Sequence, residues 1–201
     1  MRRTIYLTEI ENKIKSSNRG EVFVNSDFSE IADSQIIRKS LSRIASNNVI
    51  RRIFHGVYEY PEYNDFLNEY IAPDPDKVAH ALARNYGWTI VPCGDTALNL
   101  LGLSTQVPAV WSYVSDGTYK DYEYEKVKLI FKKTTNKQIS KISYKTALVI
   151  QAIKALGKEN VDDKAIKKIS GQLAEKEKVL MLSEAKYSTA WIYDIIKVIC
   201  K

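Results

Sequence analysis

Few residues of this chain could carry covalent chemistry. Cys93 and His80 could form a nucleophile–base pair, in which the imidazole takes the proton of the thiol. The sequence offers no glycine-rich nucleophile turn, no second histidine near His80 and no identifiable acid to orient the base. A buried structural cysteine is therefore the favoured interpretation of Cys93. With Cys200 the chain has two cysteines, too few for a disulfide framework or a zinc site.

A metal-dependent active site would have to use the acidic residues of the middle third. The carboxylates available there are Asp95, Asp116, Asp121, Glu123 and Glu125. Their spacing matches no metal-binding motif, and Asp116-Gly117 is typical of a turn. Phosphate-binding glycine patterns are also missing from the sequence. A nucleic-acid-modifying enzyme that depends on Asp95 or Asp116 is the weakest hypothesis, and we expect no catalytic residue, no metal site, no cofactor and no enzyme.

Positive charge is concentrated in the stretch IIRKSLSRIASNNVIRRIFHGVY, residues 36–58. It contains five arginine or lysine residues and no acid. Its first half has a helical period, because Ile37, Leu41 and Ile44 stand at i, i+4 and i+7. We predict a helix over 35–46 with Ser34 as its N-cap. The opposite face would expose the following side chains: Gln35, Arg38, Lys39, Ser42 and Arg43.

The second half of this stretch predicts a β-hairpin. Residues 49–54 are β-branched and aromatic, His55-Gly56 suits a turn, and residues 57–60 return as a second strand. With a short helix before the basic helix, this is the order of a winged helix-turn-helix. The helix would read base edges in a major groove, while a wing with Arg51, Arg52 and His55 would lie along phosphates. The alternatives are a winged helix that binds protein, or a basic face that contacts only solvent.

Charge divides the 201 residues into three parts of different sign. Residues 1–61 carry ten Lys or Arg and seven Asp or Glu (+3), residues 62–136 seven and ten (−3), and residues 137–201 thirteen and seven (+6). We predict an α+β fold with a winged helix-turn-helix DNA-binding domain at 1–61 and a linker at 62–73. A mixed α/β domain would fill 74–201 and end in a helical C-terminal tail or bundle.

Segments that would place the chain in a membrane are not found in the sequence. There is no run of about 18 apolar residues, which a transmembrane helix needs. The N-terminus is basic at Arg2-Arg3 but turns polar and acidic before any apolar core, which is atypical of a signal peptide. The sequence thus favours a soluble, cytoplasmic protein.

The segment from Tyr119 to Glu125 alternates tyrosine with acid. Tyrosine supplies a large contact area at low entropic cost and is enriched at protein interfaces. We therefore consider Tyr119, Tyr122 and Tyr124 as candidate partner-binding residues. The alternative is an edge strand that simply exposes its tyrosines.

An ordered set of short segments resembles a known protein family. The segments are FV at 23–24, DF at 27–28, IRKSLSR at 37–43, RIFHGVYEYP at 52–61, PCGDTALN at 92–99, LGLSTQVP at 101–108, SDG at 115–117 and AWI at 190–192. Together they resemble the abortive-infection AbiEi-type antitoxins, also described as a family of transcriptional regulators. The run from Gly102 to Pro108 is the most specific of them, because many regulators share a winged helix.

The resemblance implies a two-part antitoxin of a type IV toxin–antitoxin system in phage defence. Its winged helix would bind inverted repeats in operator DNA and repress its own operon. Its remaining domain would counteract a nucleotidyltransferase toxin, which need not form a stable complex with it. The resemblance implies DNA contacts but no catalytic residue, and it leaves the oligomeric state open. The rival hypothesis is a protein-interaction module that neutralises a partner without specific DNA binding.

Overall fold

The computed structural model of the protein describes residues 2–135 and 139–201, with side chains from residue 5 onward. The chain folds into two compact units, residues 1–88 and 89–201. Both units combine helices with a β-sheet, so the predicted α+β class is confirmed. None of the helices in these described ranges is long and apolar enough to cross a bilayer.

The first unit places a small antiparallel sheet against helices. In chain order its elements are α1 (Arg2–Lys15), β1 (Glu21–Val24), a 3₁₀ turn (Asn25–Phe28), α2 (Ser34–Ser46), β2 (Arg51–Phe54), β3 (Val57–Tyr60), β4 (Tyr63–Asn64), β5 (Glu69–Tyr70) and α3 (Pro75–Tyr86). Strand β3 lies between β1 and β2 and pairs antiparallel with both. The core between the helices and the sheet includes Ile10, Ile14, Phe28, Ile37, Leu41, Ile44 and Tyr58.

Helix α2 forms where the sequence predicts it, but its N-cap is Asp33 and not Ser34. The Asp33 carboxylate accepts hydrogen bonds from two backbone N–H groups of the first turn, each at 3.0 Å. Its negative charge also interacts favourably with the positive end of the helix dipole. Ser34 is already inside the helix, where its hydroxyl accepts a hydrogen bond from the Asn25 side chain at 2.7 Å. The predicted apolar stripe of Ile37, Leu41 and Ile44 is buried.

The hairpin after α2 also forms as predicted, although β2 begins at Arg51, two residues later than expected. Asn48 has a positive φ of 57°, so the chain reverses there before the strand starts. The β2–β3 turn is His55-Gly56, with Gly56 at φ 78°. This left-handed conformation costs glycine little, because it has no Cβ to clash with the backbone.

Helix α3 packs within the first unit, whereas the sequence pattern places it in a domain starting at residue 74. Its buried face includes Val78 and Leu82. On its outer side the Arg84 guanidinium donates to both oxygens of Asp27 at 3.1 and 3.2 Å, and to the carbonyl of Val22 at 2.9 Å. These contacts hold α3 on β1 and the 3₁₀ turn. The boundary between the units therefore lies near Trp88 and not near residue 62.

The predicted linker at 62–73 contains the β4–β5 hairpin. Strands β4 and β5 pair antiparallel, Tyr63 opposite Tyr70 and Asn64 opposite Glu69. At the base of this hairpin the N–H of Ile71 donates to the carbonyl of Glu62 at 2.9 Å. The segment is thus an ordered element of the first unit.

The second unit contains a mixed sheet and a set of helices. Its sheet has the order β6-β7-β9-β8, from Ile90–Pro92, Val110–Ser115, Val127–Lys133 and Lys120–Tyr124. Strands β7 and β9 are parallel, and the other neighbours are antiparallel. The helices are α4 (Asp95–Leu100), α5 (Tyr144–Leu156), α6 (Asp163–Ser170), α7 (Glu175–Glu184) and α8 (Ala190–Ile199). Their shared core includes Val91, Ala97, Ala147, Ile153, Met181, Ile196 and Ile199.

Candidate nucleic-acid interface

The solvent face of α2 carries all five helix residues that the sequence predicts as DNA contacts. Each of them is exposed: Gln35, Arg38, Lys39, Ser42 and Arg43. At 3.6 residues per turn they cover an arc of roughly 140° around the helix axis. The stripe that anchors α2 in the core lies on the other side. The helix therefore presents a continuous polar face with three cationic side chains.

The stretch of sequence that contains this face has no carboxylate that could neutralise its positive charge. Residues 34–58 include five arginine or lysine residues and no aspartate or glutamate. The acids that flank the stretch are Asp33, which caps α2, and Glu59, which is buried in β3. The α2–β2 region therefore has a positive potential that favours an anionic ligand.

A cleft joins the exposed face of α2 to the β2 strand. It has a volume of about 610 Å³ and is lined by Ser42, Ala45, Ser46, Asn48, Ile50, Arg51, Arg52, Pro61 and Tyr70. Helix and hairpin thus contribute to one concave surface. A smaller groove of about 140 Å³ lies on the other flank of α2, where Gln35, Lys39 and Arg43 meet Leu7 of α1.

Within this cleft Arg51 is occupied by an ion pair. Its Nε and Nη2 atoms donate to the same Glu59 carboxylate oxygen at 2.9 and 2.6 Å. Nη2 also donates to the carbonyl of Ile71 at 3.0 Å. Glu59 has only 1% of its surface exposed, so Arg51 compensates a buried charge. Its role is to fix the hairpin, and its positive charge is largely cancelled.

Replacing Arg51 with methionine is expected to destabilise the first unit by about 2–3 kcal/mol. This is below the usual cost of breaking a buried ion pair, because the Arg51 side chain is partly exposed. The measurement is urea unfolding followed by circular dichroism. Arg38→Met, at an exposed arginine of α2, is the matched control, with an expected change within about 0.5 kcal/mol. Equal effects of the two variants would contradict a structural role specific to Arg51.

Arg52 and His55 lie on the solvent side of the hairpin, and both are exposed. The Arg52 guanidinium donates to the Tyr58 hydroxyl at 2.8 Å and lies 5.3 Å from the centre of that ring. This contact orients the cation without cancelling its charge. His55 occupies the turn between β2 and β3. Of the hairpin residues predicted to contact phosphate, Arg52 is the best placed cation.

The three tyrosines considered as partner-binding residues have different environments. Tyr119 is 63% exposed, whereas Tyr124 is 7% exposed and belongs to the core. Tyr122 is half-buried, and its ring meets Phe131 edge-on at 5.9 Å between centroids. Strand β8 lies at an edge of the sheet, with its acids outward and these two tyrosines inward. Only Tyr119 of the three offers a large exposed surface.

The residues that the sequence offers for catalysis or metal binding are buried or held in contacts within the fold. Cys93 is buried, and this burial raises the pKa of its thiol, which disfavours the reactive thiolate. His80 in α3 lies 3.6 Å from the Asp76 carboxylate one turn earlier. The Asp116 carboxylate accepts the N–H of Thr89, 27 residues earlier in the chain, at 2.8 Å. Across residues 2–135 and 139–201, no three His, Cys, Asp or Glu side chains cluster as metal ligands would.

Two features of the surface were missed by sequence reasoning. The first is the Arg51–Glu59 pair, whose partners are opposite each other in the β2–β3 register. An acid across from an arginine in a predicted hairpin is a signal that could have found it. The second is Tyr70, which reaches the cleft from β5. The sequence pattern of 62–73 predicts a linker, and it gives no reason to expect Tyr70 beside α2.

The chain belongs to DUF6088, a family of unknown function, whose family profile matches residues 9–181. The match includes α2, both hairpins and most of the second unit. No curated protein matches the chain.

Proposed function

We propose that this DUF6088 protein is a DNA-binding transcriptional repressor and antitoxin. In this proposal residues 1–61 form a winged helix-turn-helix, with α2 as the recognition helix and β2–β3 as the wing. Residues 89–201 form the antitoxin unit, and α3 completes the fold of the DNA-binding unit. Helix α2 enters a major groove while the wing follows the adjacent phosphates.

One observation carries the DNA-binding half of the proposal. Ser42 and Ser46 of α2 and Arg52 of β2 line the same concave surface. The exposed face of α2 adds three further cations, Arg38, Lys39 and Arg43. A duplex needs such a surface, because phosphate contacts provide most of the affinity and base edges provide specificity. A basic face that only contacted solvent would not need to join a helix to a hairpin.

The side chains on α2 divide by chemistry into two roles. Gln35 and Ser42 can donate to and accept from base edges, and Arg38 can form a bidentate pair with guanine. Lys39 and Arg43 lie toward the α1 flank, where they suit phosphates of one strand. Arg52 suits phosphates beside the wing. The proposed site therefore keeps the predicted residues but assigns Arg51 to folding.

The antitoxin half follows from the resemblance of the sequence to AbiEi-type antitoxins. The segments that carry the resemblance include LGLSTQVP at 101–108, between α4 and β7 in the second unit. In this proposal the protein binds inverted repeats upstream of its own operon. It also counteracts a nucleotidyltransferase toxin encoded beside it.

Replacing Arg52 with glutamine tests the wing. The association constant for the upstream operator duplex is plotted against salt concentration, both as logarithms. The slope of this plot should become less negative by about 0.9, because one phosphate contact is lost. The measurement is fluorescence anisotropy over a potassium chloride series. Lys186→Gln, an exposed lysine of the second unit, is the control that removes the same charge elsewhere. An unchanged slope for Arg52→Gln would show that β2 does not contact phosphate.

A further inference from the structure

The β4–β5 hairpin carries an apolar tip that is open to solvent. Phe66 is 94% exposed and Leu67 is 57% exposed. Tyr63 and Tyr70, which pair across the hairpin, are also exposed. Apolar surface in water is unfavourable by roughly 25 cal/mol per Å². A contiguous apolar tip of this kind marks an interaction site more often than a single exposed residue does.

Local hydrogen bonds hold this tip in one conformation. The Asn64 side-chain oxygen accepts from the N–H groups of Phe66 and Leu67, each at 3.0 Å. The Tyr63 hydroxyl donates to the Asn68 side-chain oxygen at 2.6 Å. The rings of Tyr63 and Tyr70 meet edge-on at 5.1 Å. Because the tip is already ordered, docking it costs little conformational entropy.

The charge of the hairpin restricts what it can bind. Residues 62–70 contain three acids and no arginine or lysine: Glu62, Asp65 and Glu69. Nucleic acid and anionic lipid would be repelled by this segment. The occupant must instead offer an apolar recess bordered by cations.

The same unit contains a recess of this kind, namely the α2–β2 cleft. Its lining combines the apolar surface of Ala45, Ile50 and Pro61 with the polar ends of Ser42, Ser46 and Asn48 and the cation of Arg52. The ion-paired Arg51 and Tyr70, from the same copy's own hairpin, complete the lining. Arg38 and Arg43 extend the positive charge along α2. An acidic hairpin with an aromatic tip is complementary to this cleft in both charge and polarity.

We propose that the β4–β5 hairpin of one copy docks into the α2–β2 cleft of a second copy, and that the exchange is reciprocal. Each contact then occurs twice about a two-fold axis, which closes the dimer and doubles the buried area. Phe66 is the anchor in the cleft, and Asp65 and Glu69 face the cations around it. The self-association does not depend on DNA. A consequence, which does rest on the proposed function, is that the dimer covers the DNA face and competes with the operator.

Sedimentation equilibrium of the full chain without DNA tests the contact. The wild-type chain should show a concentration-dependent mass that rises from 23.0 kDa toward twice that value. Phe66→Ser should weaken the dimer about tenfold for each of the two tips, hence about a hundredfold. Tyr187→Ser, at a 96% exposed aromatic of the second unit, should leave it unchanged. A wild-type chain that stays monomeric at every accessible concentration overturns the proposal.

A charge exchange identifies the two surfaces. Asp65→Lys alone and Arg52→Glu alone should each be monomeric, because like charges face each other in both contacts of either homodimer. Mixing the two variants should restore a dimer. In the mixed dimer the introduced lysine faces the introduced glutamate at one contact, and the other contact keeps its natural Asp65 and Arg52. A mixture that remains monomeric while the wild-type chain dimerises shows that another surface is used and overturns the proposed contact.

Operator binding separates this inference from the proposed function. At concentrations where the wild-type chain is dimeric, Phe66→Ser should bind the operator duplex more tightly than the wild type. Weaker binding by Phe66→Ser would mean that the tip contacts nucleic acid, and unchanged binding would mean that the dimer leaves the DNA face open. Either result overturns the competition. If no variant binds DNA, the proposed function fails, while the sedimentation results still decide the self-association.

Discussion

Replacing Arg38 and Lys39 together with alanine is expected to weaken operator binding by about 2–4 kcal/mol, roughly 30-fold to a thousandfold. Both side chains are exposed on α2, so their removal should not disturb the core formed by Ile37, Leu41 and Ile44. The loss combines a base contact with a phosphate contact. The measurement is fluorescence anisotropy with duplex DNA from upstream of the gene.

The control for this variant removes the same charge from elsewhere. Lys176 and Lys186 are exposed in the second unit, and their double replacement with alanine also lowers the net charge by two. If the proposal is right, this control changes operator affinity far less, because distant surface charges are screened by salt. If both pairs weaken binding equally, only overall charge matters and α2 does not enter a groove. Unaltered affinity of the α2 variant would remove the recognition helix from the proposal.

The position of α2 and its polar face could be predicted because apolar residues recur with the helical period of 3.6 residues. Ile37, Leu41 and Ile44 define the buried side, and the exposed side follows by elimination. The cap could not be assigned with the same certainty, since Asp33 and Ser34 are both good N-cap residues. In the structure Asp33 is the cap, and the Ser34 hydroxyl instead accepts a hydrogen bond from the Asn25 side chain. That contact comes from nine positions away in the chain and has no local signature.

The β4–β5 hairpin and the unit boundary were harder to predict for different reasons. Strands of two residues, such as Tyr63–Asn64, are too short to show an alternating pattern. Helix α3 does show an amphipathic pattern with Val78 and Leu82. Such a pattern predicts that one face of the helix is buried, but it does not identify the elements that this face packs against. Its partners are β1 and the 3₁₀ turn, about 50–60 residues earlier in the chain, as the Arg84–Asp27 ion pair shows. Pairing over such distances is tertiary information.

Dividing the chain at the observed boundary should separate the two proposed activities. Residues 89–201 alone are expected to protect cells that express the neighbouring nucleotidyltransferase, restoring colony formation to the level of the full chain. Residues 1–88 alone should bind the operator duplex without protecting. Each fragment keeps its own core, around Ile37 and Leu41 in the first and around Met181 and Ile196 in the second. Colony counts and anisotropy measure the two outcomes.

A cut at residue 61 is the informative comparison, because that is where the sequence alone places the domain end. Fragment 1–61 lacks α3 and leaves the sheet surface that contacts Val78 and Leu82 open to water, at a cost of about 1.5–3 kcal/mol for each large side chain. It should therefore unfold at lower urea than fragment 1–88 and bind DNA more weakly. If 89–201 is folded by circular dichroism yet fails to protect, the antitoxin half of the proposal is refuted. DNA binding by 1–88 would then stand alone, and the protein would be a repressor only.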